Sequence, residues 1–279
     1  MSLPRPRLIA CDLDGTLLDS QKLMSPRLTS LLEHLMAQGI FFVPATGRSL
    51  YSVPDNVRTL TGLTYLITSN GAACDCLSPA KRLFTESLPT ALLKELYAAF
   101  AVRPTVITEV FIDGRAYLAE ENYNHIAELY PDPVIQTYVR TTRTPVPDLG
   151  AFLKAHPDGI ENMNFVFLEP KERQQALDEL KQDDHLTVTS SSQRNLEITN
   201  SAATKGHALG RLCQTLNIDP NEVWTFGDSP NDADLLTFTP YSFAMENAHP
   251  AVASLANHQA PSCNADGVYQ ILSQLEISH

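Results

Sequence analysis

The sequence has no run approaching the roughly 18 consecutive apolar residues of a membrane span. Its opening, Met1-Ser2-Leu3-Pro4-Arg5-Pro6-Arg7, leads straight into Leu8 and then Asp12. The apolar h-region and small-residue cleavage site of a secretion signal are missing. Both absences point to a cytoplasmic protein without a membrane role. Cysteine is sparse: Cys11, Cys74, Cys76, Cys213 and Cys263 are odd in number and form no C-x-x-C pair. That excludes a disulfide framework or a zinc site as the organising principle, and Cys74-Asp75-Cys76 reads as two isolated thiols. The 8 histidines form no H-E-x-x-H or H-x-H group. There is no internal repeat and no low-complexity tract. Basic residues are outnumbered, 20 Lys and Arg against 32 Asp and Glu, for a formal net charge of −12. Such a balance speaks against nucleic acid, whose phosphates demand clustered cations.

What is present is a chain of 279 residues, 43% hydrophobic, long enough for a core domain with a second domain inserted in it. Leu8-Ile9-Ala10-Cys11 is a short apolar run ending at Asp12, as expected of a buried parallel strand. Ser25-Pro26 opens a helix whose apolar face is Leu28, Leu31, Leu32, Leu35 and Met36, and Gly39 ends it. Ile40-Phe41-Phe42-Val43 predicts the next strand, followed by Thr46-Gly47-Arg48 at a helix start. Tyr65-Leu66-Ile67-Thr68 predicts a third strand, ending in Ser69-Asn70-Gly71. This alternation is that of a doubly wound α/β sheet. From about residue 83 the pattern changes to an α+β layer. It has a helix over 91–100, a hairpin over 106–119 turning at Asp113-Gly114, a strand over 164–168, a helix over 172–180 and a strand over 186–189. The parallel rhythm resumes near Glu197. Thr204-Lys205-Gly206 opens a helix, Val223-Trp224-Thr225-Phe226 is a strand ending at Gly227-Asp228, and Ser229-Pro230 opens another helix. Ser242–Met245 follows as a strand and 268–275 as a closing helix. The expectation is a discontinuous core, 1–82 and 197–279, with 83–196 inserted as a cap.

In open parallel sheets, ligands bind beyond the carboxyl ends of the strands. Asp12, Thr46, Ser69-Asn70 and Asp228 each follow a predicted strand and converge on one edge. Any one of them alone has a plain role in a turn or cap; four at equivalent positions point to a site. Lys205 stands at a helix N-terminus, where the macrodipole disfavours a cation, and makes sense if an anion lies there. With a net charge of −12, a site for an anionic substrate needs local positive charge from a divalent cation and a few basic residues. Asp12 and Asp228 supply the hard oxygen ligands that suit Mg²⁺. A carboxylate beside such an ion can attack phosphorus, and Asp14 can protonate the leaving alcohol and then activate water. Thr46, Lys205 and the metal would offset charge on the transferring phosphoryl oxygens.

Asp12-Leu13-Asp14-Gly15-Thr16, Thr46-Gly47-Arg48, Thr204-Lys205-Gly206 and Gly227-Asp228-Ser229-Pro230-Asn231-Asp232 resemble, in order, the four motifs of the haloacid dehalogenase-like superfamily. The insert between the second and third motifs is similar to the α/β cap of its Cof-type, subclass IIB sugar-phosphatase group. So are Ile67–Ala72, Asn195–Thr199 and Ala244–Ala248. The resemblance implies a nucleophilic Asp12 and an acid/base Asp14. It implies Mg²⁺ on the Asp12 side chain, the Asp14 backbone carbonyl and Asp228. Thr46, Gly47, Arg48, Asn70, Lys205 and Asn231 would bind phosphate or substrate, and Asp232 would orient Lys205 or a metal-bound water. Ser229-Pro230 departs from the usual residues there, in a way compatible with a helix cap and first turn. The implied substrate is a small phosphorylated metabolite such as a sugar phosphate. The alternatives are a phosphosugar mutase of the same superfamily, which shares Asp12 and Asp14, and a non-catalytic metabolite-binding regulator. In the cap, Glu109, Arg115, Tyr117, Asn122 and Asn164 are the polar candidates for substrate contacts.

Overall fold

The computed structural model describes residues 3–190 and 192–277. Its strands are β1 (Leu8–Cys11), β2 (Phe41–Pro44), β3 (Tyr65–Thr68), β4 (Ala73–Leu77) and β5 (Ala80–Thr85). Then come β6 (Val106–Ile112), β7 (Arg115–Ala119), β8 (Arg143–Val146), β9 (Ile160–Phe167), β10 (Leu186–Thr189) and β11 (Asn195–Asn200). The last are β12 (Val223–Gly227), β13 (Tyr241–Met245) and β14 (His258–Ala260). Contacts divide the chain into two compact units. One comprises Met1–Thr46, Val53–Phe84 and Thr204–His279; the other comprises Gly47–Ser52 and Thr85–Ala203. No described helix is long and apolar enough to cross a membrane.

The first unit is built on a five-stranded sheet in the order β14-β13-β12-β1-β2, with parallel pairing between all neighbours. β1 is apolar along its whole length because it is central and covered on both sides, and its four residues are fully buried. The helix Lys205–Leu216 packs Leu209, Leu212 and Cys213 with Leu8, Ala10, Val43 and Ile67. The helix Pro26–Ala37 begins where Ser25 accepts a hydrogen bond from the Leu28 N–H and Pro26 presets the first turn. The expected third parallel strand behaves differently. β3 touches β2 through a single parallel bridge, Ala45 to Ile67, and pairs antiparallel with β4. The reason is the turn between them: Ser69, Asn70 and Gly71 all have positive φ (51°, 57° and 98°), so the chain doubles back at once. No helix starts at Thr46-Gly47 either. A short 3-10 turn, Leu50–Ser52, and the four-residue helix Asp55–Arg58 fill that connection.

The second unit carries a six-stranded sheet, β10-β11-β9-β6-β7-β8, antiparallel except for the β7/β8 pair. The β6–β7 turn is at Asp113-Gly114, with φ of 51° and 73°, the left-handed pair that a two-residue hairpin needs. Side-chain alternation gives the sheet two apolar faces. Val106, Val110, Met163, Phe165, Phe167, Leu196 and Ile198 pack with the helices Thr90–Leu96, Leu149–Ala155 and Pro170–Leu180. Ile107, Leu118 and Val166 pack on the other side with Ile126, Tyr130 and Val139. The helices Glu120–Asn124, Ile126–Leu129 and Pro133–Thr142, which carry this second layer, are additional to the sequence expectation.

Candidate active site

β1 delivers Asp12 and β12 delivers Asp228 at neighbouring strand ends, since the two strands are in parallel register from Leu8/Val223 to Cys11/Phe226. The Asp12 N–H donates to the Phe226 carbonyl at 3.0 Å and so extends that ladder by one residue. After β12 the chain enters a short turn, Pro230–Asp232, which brings the Asp232 carboxylate back beneath the strand end. Its Oδ2 accepts from the Asp228 and Ser229 N–H groups, both at 3.0 Å. Ligand oxygens of Asp12, Asp228 and Asp232 lie within 4.8 Å of one another.

Lys205 binds this cluster together. Its side chain is fully buried, and Nζ donates to Asp12 Oδ1 and to Asp232 Oδ1, each at 2.6 Å. Such short charge-assisted contacts are the strong class of hydrogen bond, and they offset the cost of removing an ammonium from water. Burial alone would lower the lysine pKa; Asp12 and Asp232 outweigh it and hold the ammonium well above its ordinary value. The opposite holds for two of its neighbours. Burial pushes Asp12 well up, with Lys205 opposing and Asp232 and Asp228 adding repulsion. Burial, then repulsion from Asp232, raises Asp228 as well. Two of the three carboxylates thus sit where burial and mutual repulsion outweigh the single ammonium of Lys205.

The anion expected at the start of the lysine's helix is supplied by the protein itself. Thr204 is the cap, accepting from the His207 N–H at 3.3 Å, and Asp234 Oδ2 accepts from the Gly206 N–H at 2.8 Å. A Cβ at position 206 would come within 2.5 Å of the Asp234 carbonyl oxygen, so only glycine permits this close approach. Asp234 carries no sequence signal beyond its place two residues after Asp232.

Around the carboxylates, Thr16 Oγ1 donates to Asp228 Oδ1 at 3.0 Å and Ser229 Oγ to Asp228 Oδ2 at 3.2 Å. Gly15 has φ 94° and stands where a Cβ would lie 2.5 Å from Asp228 Oδ2. Its carbonyl accepts from Asn247 Nδ2 at 2.8 Å. Asp14 is partly exposed and pairs with Lys22 at 2.9 Å. Thr46 is buried and held through its backbone, its N–H donating to Ile67 and its carbonyl accepting from Asn70, both at 3.0 Å. Asn231 Nδ2 donates to Asn70 Oδ1 at 2.9 Å, tying the end of β3 to the loop after β12. Lys22 and Asp234 lie outside the motifs named from the sequence, and Thr16 and Asn247 lie inside them without an assigned role.

Gly47 and Arg48 belong to the second unit, where Arg48 donates to the Ser52 carbonyl at 3.1 Å and lies 5.5 Å from the Tyr138 ring centroid. Of the polar candidates in that unit, Glu109 and Asn164 are buried. Arg143 and Asn164 both donate to Glu109 Oε2 at 2.9 Å, and Asn195 donates to Asn164 Oδ1 at 3.0 Å. Tyr117 packs on Phe152, and Arg115 lies 4.1 Å from the Tyr51 ring centroid. Asn122 is half-buried on the helix Glu120–Asn124. The cysteines are free thiols; Cys74 is buried in the first unit's core, and burial pushes it up to about 12, so it stays neutral.

The sequence pattern of the haloacid dehalogenase-like hydrolases matches residues 9–272. The 5-amino-6-(5-phospho-D-ribitylamino)uracil phosphatase YbjI of Escherichia coli K12 is 26% identical over 279 residues, 96% of this chain and 96% of that protein. The phosphatase YwtE of Bacillus subtilis 168, named for the same compound, is 25% identical over 284 residues, 96% of this chain and 98% of its own. A solved haloacid dehalogenase-like hydrolase from B. subtilis shares the fold with a TM-score of 0.83 at 24% identity, covering 96% of this chain and 99% of that one. A carboxylate cluster gathered at parallel strand ends around a buried lysine therefore stands within a family match that runs nearly the length of the chain, and the chain belongs to the haloacid dehalogenase-like hydrolases.

Proposed function

We propose that the chain is a Mg²⁺-dependent phosphatase that hydrolyses a small phosphorylated metabolite, a sugar or polyol phosphate, through an aspartyl-phosphate on Asp12. The observation that carries this reading is the fully buried Lys205 bridging Asp12 and Asp232, with Asp228 completing a carboxylate cluster that one ammonium does not balance. Hard oxygen donors with an excess of negative charge fit Mg²⁺, and Asp12 and Asp228 are the side chains to hold it, with the Asp14 carbonyl. Asp232 is committed to Lys205 and to two backbone N–H groups, so it fits a supporting role. Mg²⁺ bound there would stabilise negative charge on the phosphoryl oxygens.

The chain's own residues supply the rest. An Asp12 carboxylate oxygen attacks phosphorus in line with the ester oxygen. The P–O bond to the leaving group breaks, and that oxygen takes a proton from Asp14. Water then attacks the phosphorus of the acyl phosphate and gives a proton to Asp14, which frees orthophosphate and restores Asp12. Lys205 and the Thr46 hydroxyl neutralise the equatorial oxygens in both halves, and Asn70 and Asn231 fix the loops beside them. The discontinuous first unit serves as the catalytic core, and the second unit as the cap that selects the leaving group. Two relatives named as phosphatases of a ribityl phosphate favour a primary ester on a polyol chain.

The test is a panel of sugar, polyol and nucleotide phosphates with purified protein, Mg²⁺ and a phosphate-release assay. Stoichiometric orthophosphate that stops with EDTA and returns with Mg²⁺ is the expected result. Isomerised sugar phosphate without orthophosphate would make the chain a mutase, and no turnover even of 4-nitrophenyl phosphate would end the enzymatic reading.

A further inference from the structure

Lys22 stands in a conformation that lysine avoids. Its φ is 63°, in the left-handed region where a Cβ crowds the backbone and where glycine or asparagine is the ordinary occupant. The loop around it is closed tightly and leaves no alternative. The Asp19 N–H donates to the Leu23 carbonyl and the Lys22 N–H to the Asp19 carbonyl, both at 3.0 Å. Asp19 Oδ1 accepts from the N–H groups of Gln21 at 2.8 Å and Leu23 at 3.0 Å. The base of the same loop is pinned by Leu18, whose N–H donates to the Leu13 carbonyl at 2.8 Å and which bridges to Asp14. One flank is tied by the Ser20 N–H, which donates to Asn264 Oδ1 at 2.9 Å.

The outcome of this construction is that Lys22 Nζ meets Asp14 Oδ1 at 2.9 Å. Stability does not explain the choice of residue. The two side chains are 54% and 32% exposed, and an ion pair so open to water adds little to folding. A strained backbone position filled by the wrong residue type for the turn, and by a residue whose charge reaches the carboxylate next to the nucleophile, is the pattern of a functional constraint.

We propose that Lys22 is a positioning residue for Asp14: it anchors Oδ1 and so sets the direction in which the carboxyl group presents its proton to the leaving oxygen. The inference rests on the phosphatase reading, in which Asp14 gives the proton that the departing alkoxide takes up. A misaligned acid hurts most where the leaving group needs the proton most. A sugar or polyol alkoxide is a poor leaving group, whereas 4-nitrophenolate departs without help.

The experiment compares kcat/KM, which reports the steps up to departure of the leaving group, for 4-nitrophenyl phosphate and for the best primary alkyl phosphate of the substrate panel. Lys22→Met and Lys22→Gly are each expected to lose about tenfold on the alkyl ester and less than about twofold on the aryl ester, a split that follows from the scale of general acid catalysis. Lys22→Arg should keep most of the alkyl rate. Lys22→Gly should also melt higher than wild type, because glycine relieves the strain while the activity falls. An unchanged alkyl rate in Lys22→Gly overturns the proposal, and so does an equal loss on both esters, which would place the ammonium on the phosphoryl group instead. If wild-type protein with Mg²⁺ cleaves neither ester, the phosphatase reading itself falls; if it cleaves both and the variants do not separate them, only the role of Lys22 falls.

Discussion

Each unit of the molecule buries an ion-paired network that spans several elements, and the two are put together differently. In the first, Lys205 faces Asp12 and Asp232, with Asp228 close by: three carboxylates against one ammonium. In the second, Arg143 pairs one to one with Glu109, and the amides of Asn164 and Asn195 carry the chain of donors and acceptors on to the half-buried carboxylate of Glu197. The ion pairs at the heart of both networks are desolvated, so water does little to screen the balance of charge in either. The response differs accordingly. Asp12 and Asp228 are pushed up by burial and mutual repulsion, while Arg143, despite burial, is held above its ordinary value by Glu109. A buried pair that balances its own charge holds a sheet together. A network that leaves negative charge over is poised for a cation and for chemistry.

The largest effect should come from breaking the first network at Asp12, the proposed nucleophile. Asp12→Asn is expected to reduce kcat by at least about 10³-fold, since the attacking oxygen is gone. Its melting temperature should hold or rise, because one uncompensated charge is removed. Measurable turnover above about 1% of wild type in steady-state assays would refute the nucleophile and, with it, the functional reading of the imbalance. The mirror experiment is Glu109→Gln. It leaves the Arg143 guanidinium buried without a counter-charge and should cost about 3 kcal/mol or more by denaturant unfolding. If Glu109→Gln were as stable as wild type, the distinction between a closed and an open network would fail.

The two networks were also unequally legible in the sequence. Asp12, Lys205, Asp228 and Asp232 stand together because each is fixed by local patterns that leave a trace: an apolar strand ending in Asp, a Thr cap before a helix, and a Gly-Asp turn followed by Pro. The parallel core was readable for the same reason. The Glu109–Arg143 pair joins residues 34 positions apart on strands that do not touch, so no spacing announces it. Lys22 escaped because its role depends on a backbone angle imposed by Asp19, and Asp234 because it reaches a helix that begins 29 residues earlier. β4 left little trace, because the alternation through Cys74-Asp75-Cys76 is too short to mark a strand. The helices between residues 120 and 142 were missed because they are short and half polar.

Metal binding gives an intermediate effect whose pH dependence has a definite sign. Raised pKa values mean that the metal-free native state binds protons at Asp12 and Asp228 more tightly than the unfolded chain does. Stability without metal therefore falls as pH rises from the ordinary carboxylate value through the raised ones. Under the proposed function Mg²⁺ would bind the deprotonated cluster and offset that penalty, by about 2.7 kcal/mol at a hundredfold excess over Kd. The rise in melting temperature on adding Mg²⁺ should be larger near neutral pH than at about pH 5. A gain that is equal at both, or larger in acid, would mean that the excess charge of the first network is not what the cation meets.

The smallest expected effect tests whether the charge surplus extends to the end of the lysine's helix. Asp234 places a fourth carboxylate near this cluster, but its Oδ2 is spent on the Gly206 and His207 N–H groups at 2.8 and 3.3 Å. Those are donors that a helix N-terminus leaves unsatisfied, and an anion there also meets the positive end of the macrodipole. Asp234 thus belongs with the closed kind of network, although it sits in the unit that holds the open one. Asp234→Ala should cost about 1 kcal/mol, the usual worth of an N-terminal cap, and Asp234→Asn less. Because Lys205 is the first residue of that helix, kcat should fall modestly in Asp234→Ala and recover in Asp234→Asn, which keeps an oxygen acceptor without the charge. Recovery would show that the carboxamide oxygen suffices and that the charge of Asp234 is dispensable. Failure of Asp234→Asn to recover would instead count its charge with those of Asp12, Asp228 and Asp232, and the surplus that distinguishes the two units would be larger by one.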